Sequence, residues 1–372
     1  MPMIDFKRIS PTLPPYQQVA EQLRRQMKSG QIKPGDRLPS IAQMREKHGV
    51  SRPTMDKVHS ILEQEGLVIR QPGAGTFVLE PPAPTAPLLA HNVIAVSGSG
   101  FYFAEQSPYW GQLMAGIRAE AKTCGFSISL PDHPLRNAQT VSGLLIGESS
   151  REDVLRHLPA ALPCVSLLMP LAGVAGVYAD DYSGGRQATE YLLKLGHRRI
   201  GYLHGGSGSH EMVARRLSGY RDALHAAELG FSEDWERVLP AIEHDVFDPA
   251  DDLQFVAVGR QTMSQWLKEN WAQTGLTALL TQNDYLAIGA MEALRESGWS
   301  VPGDVSVVGF DGLEIGQVVS PRLTTIDVPL REIGRRAVQM LQAQIETGIA
   351  SREHCMLPTR LRVGLSSCAP AS

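Results

Sequence analysis

Several groupings carry the residue types of a reactive site, and each lacks its remaining parts. His210-Glu211 would open a zinc-binding helix, but no second histidine follows at the one-turn spacing that sets two imidazoles on one face. Gly205-Gly206-Ser207-Gly208 is glycine-rich, yet it lacks the Lys-Ser/Thr pair that meets phosphate and magnesium in a nucleotide loop. No Gly-x-Ser-x-Gly elbow presents a nucleophilic serine. Cys124, Cys164, Cys355 and Cys368 lie far apart without a Cys-x-x-Cys, which argues against a zinc ribbon or redox pair and fits free thiols in a reducing cytoplasm. The 11 histidines form no cluster. The chain is therefore expected not to be an enzyme, with no catalytic residue, metal or cofactor.

The elements behind these residues divide unequally. The 372 residues are too many for one compact unit. The net charge of −4 splits into +4 for Met1 to Glu80 and −8 for the rest, so a small basic piece is joined to a large acidic one. Between them runs Glu80-Pro81-Pro82-Ala83-Pro84-Thr85-Ala86-Pro87, whose prolines lack N–H donors and fix φ. That makes 80–90 a semi-extended linker able to hold its neighbours roughly 25–35 Å apart. No apolar run reaches the ~18–20 residues needed to span a bilayer, and Met1 to Leu13 lacks a signal layout, so a cytoplasmic protein is expected.

Residues 1–79 read as three helices and a hairpin. Tyr16, Val19, Ala20, Leu23 and Met27 recur at helical spacing before Gly30. Ser40 with Gln43 has capping-box spacing for a second helix, and Ser51 can cap a third carrying Met55, Val58, Ile61 and Leu62. Two helices across so short a turn make a helix-turn-helix. Leu67–Arg70 and Thr76–Leu79 flank a glycine-rich tip and read as a wing.

Asp36-Arg37-Leu38-Pro39-Ser40, Gly49-Val50-Ser51-Arg52-Pro53-Thr54, Leu62-Glu63-Gln64-Glu65-Gly66-Leu67 and Gly73-Ala74-Gly75-Thr76-Phe77-Val78 together resemble the winged helix-turn-helix of GntR-type transcription regulators. The resemblance implies that the third helix enters the major groove, with Arg52 offering its donor fork to guanine or phosphate and Thr54 reaching a base or backbone oxygen. Ser40 and Ser51 would bring helix N-terminal donors to the strand, and the small residue Gly73 would let the wing approach the minor groove. Pro53, Lys57 and Gln71 complete the expected DNA-contacting set. Two departures stand out: Ile41-Ala42-Gln43-Met44 lacks a usual arginine, and Asp56 stands where an arginine is common.

Residues 91–372 alternate short apolar runs with amphipathic stretches of 10–15 residues, the pattern of parallel sheets in an α/β fold. Such folds bind ligands beyond the carboxyl ends of their strands. Ala179-Asp180-Asp181-Tyr182-Ser183-Gly184-Gly185, Leu195-Gly196-His197-Arg198-Arg199-Ile200-Gly201, Arg215-Arg216-Leu217-Ser218-Gly219-Tyr220, Gln282-Asn283-Asp284, Val301–Asp311 and Pro321-Arg322-Leu323-Thr324-Thr325-Ile326 look like the effector-binding domain of LacI/GalR-type repressors. That family implies two periplasmic-binding-protein-like lobes closing on a small ligand, commonly a sugar, and usually a homodimer. The combination with a GntR-type reader resembles the arabinose-repressor subgroup.

By that resemblance Arg216, Asn283 and Asp311 are carried over as ligand contacts, and a guanidinium, an amide and a carboxylate suit vicinal hydroxyls. Tyr178 and Phe255 are candidates for stacking on an apolar sugar face, with a place in the core as the alternative. Asp180, Asp181 and Asp284 read as helix-capping acids, and Arg216 has pairing with an acid as its alternative role. Leu168 stands about where some members place a sugar-binding aspartate. The expected function is a DNA-binding regulator, a repressor of sugar-utilisation genes released by a sugar-like effector. The alternatives are an activator, a corepressor-dependent repressor, or a sugar-binding protein without regulatory DNA binding.

Overall fold

In this computed structural model the chain divides into two units, Met1–Leu88 and Leu89–Ser372. The residues described are 19–20, 23, 26–27, 31–33, 35–38, 54–55, 57–59, 62, 68–71 and 75–78 of the first, and 92–130, 140–147, 162–205, 211–240 and 253–371 of the second.

In the first unit Val19, Ala20 and Leu23 share one helical face and Met55, Val58 and Leu62 another, each set spaced by about one turn. They close a core with Ile32, Leu38, Val68 and Val78. Strands β1 (Val68–Gln71) and β2 (Gly75–Val78) pair antiparallel from Val68↔Val78 to Gln71↔Gly75 as the wing. Segment 35–38 bonds to the other edge of β2: Leu38 N donates to Thr76 O at 2.8 Å and Val78 N to Asp36 O at 2.9 Å. The wing is thereby tied to the turn ahead of the expected second helix.

The second unit has the α/β fold expected from the alternation, with two lobes that each carry a parallel sheet. The first lobe holds β3 (Val93–Ser97), β4 (Ser127–Ser129), β5 (Gly143–Ile146), β6 (Cys164–Leu167), β7 (Ala175–Ala179) and β13 (His354–Leu357). Their order is β13-β7-β6-β5-β3-β4, parallel throughout, with helices α1 (Pro108–Thr123) and α8 (Leu330–Thr347) packed on the sheet. The second lobe holds β8 (Ile200–His204), β9 (Glu236–Val238), β10 (Ala278–Thr281), β11 (Ser306–Asp311), β12 (Thr324–Asp327) and β14 (Arg360–Arg362). Their order is β14-β12-β11-β10-β8-β9, with β14 antiparallel. Around this sheet lie α2 (Asp181–Leu195), α3 (Glu211–Ala226), α4 (Leu253–Glu269), α5 (Trp271–Thr274), α6 (Asp284–Glu296) and α7 (Ile315–Val318). Central strands are covered on both faces, so Leu144-Leu145, Leu279-Leu280 and Val307-Val308 are continuous apolar runs and all buried.

The chain passes between the lobes three times: from β7 into α2, from β12 into α8, and from β13 into β14. Two crossings are bonded together, Asp180 N donating to Leu357 O at 2.8 Å and Thr359 Oγ1 to Asp180 O at 3.2 Å. The tail after β14 clasps the base of the second lobe. Val307 N donates to Ser366 O at 2.7 Å, Thr324 N to Ser366 Oγ at 2.8 Å, and His197 Nε2 lies 2.9 Å from Cys368 O.

Candidate effector cleft and nucleic-acid interface

Three elements of the second lobe bring their chemistry together beyond the carboxyl ends of its strands. Asp311 ends β11, Gln282 follows β10, and Arg216 sits on α3, the helix after β8. Helix α3 lies hard against α2, because Gly185 leaves no side chain between the helices: a Cβ there would strike the Arg216 backbone. Arg216 is 3% exposed. Its Nε donates to Asp181 Oδ1 at 2.8 Å, its Nη1 donates to the Gln282 carbonyl at 2.5 Å, and Nη1 lies 3.1 Å from Asp311 Oδ1. The guanidinium carbon also stands 3.7 Å from the centroid of the Phe310 ring.

Burial works against a charge on Arg216, but the Asp181 and Asp311 carboxylates outweigh it and hold the guanidinium above its ordinary pKa. The result is a fixed cation between two buried acids. Arg–carboxylate contacts of this kind set direction as well as strength, since a planar fork meets oxygens in defined positions.

Asp311 has φ 105° and Gly312 φ 73°, so the chain turns sharply through the left-handed region as β11 ends. Beside this turn Asp284 is fully buried. Leu313 N donates to its Oδ2 at 2.7 Å and Thr325 Oγ1 to its Oδ1 at 2.5 Å. Burial, reinforced by the nearby Asp311 charge, pushes the Asp284 carboxyl well up despite those hydrogen bonds.

The Tyr109 phenol of α1 is near enough to act on the Arg216 charge. Tyr109 and Trp110 meet edge-on at 5.5 Å, and Trp110 meets the buried Phe101 edge-on at 5.1 Å. Arg216 with its two acids is thus a buried charged cluster at these strand ends, a set of donors and acceptors that can hydrogen-bond a polar ligand.

The structure brings Arg216 and Asp311 together. Arg216 also takes the role held open for it, pairing with acids. Asn283 adjoins Gln282, but its Oδ1 accepts Leu286 N at 2.9 Å, so it caps α6. The reading of Asp284 as the cap is corrected accordingly, because the next residue's carboxylate turns inward instead. Asp180 caps α2, accepting Ser183 N at 3.0 Å, whereas Asp181 is already helical and pairs with Arg216. Tyr178 lies on β7 with its ring 6.0 Å from His354 of β13, and Phe255 packs from the start of α4 on the second lobe's core. Sequence reasoning missed Asp181 and Gln282 as partners of Arg216. The doubled acid Asp180-Asp181 was a signal, since one cap needs only one.

In the first unit Thr54 and Lys57 are helical and three residues apart, hence on one face, with Lys57 exposed. Gln71 ends β1 at the rim of the wing. Ser40, Ser51, Arg52, Pro53 and Gly73 lie outside the described residues.

A winged head followed by two α/β lobes is the layout of a DNA-binding regulator with a periplasmic-binding-protein-like sensor. Residues 15–78 match the family model of bacterial regulatory proteins of the gntR family, and residues 189–367 that of the periplasmic binding protein-like domain. The chain thus joins a gntR-type regulatory domain to a periplasmic binding protein-like domain. It is 26% identical over 356 residues to the arabinose metabolism transcriptional repressor of Geobacillus stearothermophilus, covering 90% of this chain and 92% of that protein. It is 31% identical over 229 residues to the HTH-type transcriptional regulator GalS of Salmonella typhimurium, covering 61% of this chain but only 62% of that protein. In fold it is similar to a LacI family regulator from Enterococcus faecium solved with bound ribose, with a TM-score of 0.62 at 24% identity over 75% of this chain and 100% of that one. Among the described residues no helix is long and apolar enough to cross a membrane, and no cluster of ligating side chains could hold a metal ion.

Proposed function

We propose that this regulator is a cytoplasmic, homodimeric repressor of sugar-utilisation genes, released from its operator by a sugar-like effector held between the lobes. The carrying observation is Arg216 between Asp181 and Asp311, 2.8 and 3.1 Å away, at the strand ends of one lobe. Such a set offers donors and acceptors to neighbouring hydroxyls, and the rings suit the C–H face of a sugar. The named sugar systems of the relatives support the same ligand class. Arg216 and Asp311 are the direct contacts in this reading, with Asn283, Tyr178 and Phe255 at its margins. Ser40, Ser51, Arg52, Pro53, Thr54, Lys57, Gln71 and Gly73 contact operator DNA.

Two heads in a dimer would read half-sites of a roughly palindromic operator. Effector binding closes the cleft and changes head spacing through linker 80–90, a coupling of about 1–3 kcal/mol. Gel shifts on the DNA upstream of the gene, with and without a panel of pentoses and hexoses, test this. The expected outcome is salt-sensitive binding that one sugar weakens about 5–150-fold. Binding that a sugar strengthens instead would make the effector a corepressor, and absence of salt-sensitive binding would end the regulator reading of the head.

A further inference from the structure

We infer that Asp284 is a positioning residue for the cleft: from the first turn of α6 it fixes the left-handed turn at Asp311 and Gly312 and so aims the Asp311 carboxylate at Arg216. The inference rests on the reading of Arg216 and Asp311 as effector contacts, and it assigns a buried acid that touches no effector.

Asp311 is not glycine, yet it has φ 105°. A side chain rarely adopts that conformation unless its surroundings hold it there. Asp284 supplies the hold from both sides of the turn. Its Oδ2 accepts from Leu313 N, the first residue past Gly312, and its Oδ1 accepts from Thr325 on the neighbouring strand β12. One carboxyl group thus joins α6, β12 and the exit of β11. Strand β11 is cut to admit it: at Gly309 a side chain would collide with Asp284 Oδ1 and stand 2.8 Å from Leu323 Cδ2. Burying a carboxyl group is unfavourable unless it is hydrogen-bonded, and an apolar residue would fill the space without that cost. What an apolar residue would not do is hold the Leu313 amide, and with it the direction in which Asp311 points.

The test uses the full chain with Asp284→Ala, Asp284→Asn, Thr325→Val and Asp311→Ala. Calorimetry with D-ribose, L-arabinose and D-galactose reads affinity, and hydrogen exchange reads residues 309–315 without any sugar. Asp284→Ala is expected to lose about tenfold or more in affinity for the sugar that binds, the scale of a charge-assisted hydrogen bond. On the Asp311→Ala background the same change is expected to add less than about twofold, because both act through one carboxylate. Asp284→Asn keeps an oxygen for Leu313 N and an N–H for Thr325 Oγ1, so it is expected to stay within about threefold of the unsubstituted chain. Thr325→Val removes one of the two hydrogen bonds to Asp284 and falls between the two.

A loss for Asp284→Ala that is fully additive with Asp311→Ala would overturn the inference, as would unchanged affinity for Asp284→Ala beside a loss for Asp311→Ala. If Asp311→Ala itself changes nothing, the effector reading fails, and exchange alone decides the role of Asp284. Faster exchange at 309–315 in Asp284→Ala, with Asp284→Asn protected and strand β5 unaffected, upholds it. Equal exchange in all three proteins overturns it. The same exchange result decides the matter if none of the three sugars binds.

Discussion

The two lobes share one wiring diagram and differ in what they present to the cleft. Read from the β13 and β14 edges, the two sheet orders correspond strand for strand. In each lobe the third strand ends in a non-glycine residue of positive φ: Leu168, at 69°, after β6, and Asp311, at 105°, ending β11. Leu168 turns into the apolar core, whereas Asp311 reaches Arg216. Left-handed backbone costs an ordinary residue roughly 1–2 kcal/mol, yet a leucine occupies it here. The turn thus recurs in both lobes, and residue type decides whether it joins the core or the charged cluster. One lobe carries edge-packed rings around α1 and the other a charged cluster at its strand ends.

Unpairing the charged cluster should have the largest effect. Arg216→Met leaves the buried Asp181 and Asp311 without their cation, a destabilisation of about 3–5 kcal/mol in urea titration. Adding Asp181→Leu and Asp311→Leu should recover most of that stability without restoring any sugar response. Among the rings, Trp110→Ala removes edge contacts to Phe101 and Tyr109, each worth about 0.5–1.5 kcal/mol beyond area. It should weaken sugar binding while leaving the salt dependence of DNA binding unchanged. A larger stability loss for Trp110→Ala than for Arg216→Met would break the division of labour between the lobes.

The smallest effect lies at the base of the charged lobe. His197 Nε2 donates to Cys368 O at 2.9 Å, and its Nδ1 lies 2.8 Å from Thr277 Oγ1. Burial lowers its pKa, the Cys368 carbonyl opposing. A lowered histidine pKa leaves stability flat above the unfolded value of about 6.5. As pH falls below it, the unfolded chain takes up a proton that the folded one resists, and stability drops by at most ~1.4 kcal/mol per pH unit. Urea midpoints at pH 7.5 and 5.5 should show this drop in the natural chain and a smaller one in His197→Gln.

Much of the sensor was legible because its central strands are buried on both faces: β5, β6 and β10 appear as apolar runs within a residue of where they lie. The short edge strands β4, β9 and β14 were not, since three residues make no pattern. Lobe membership was not legible either. Helix α8 follows β12 of the second lobe yet packs on the first, a choice that no local period encodes. Within the site, Arg216 and Asp311 stood in recognisable strings, but Asp284 and Asn283 are neighbours that could each cap α6. Which one turns inward is decided by Leu313 and Thr325, 29 and 41 residues away.

The clasp at Ser366 and Cys368 also orders events in time. The second lobe needs β14 and the tail to complete its sheet edge and its base, so it stays unfinished until residue 368 has been made. The head, Met1–Leu88, is synthesised some 280 residues sooner. At roughly 5–20 residues per second that is a lead of about 15–55 s. For that interval each nascent chain carries a complete head ahead of a sensor that is not yet built.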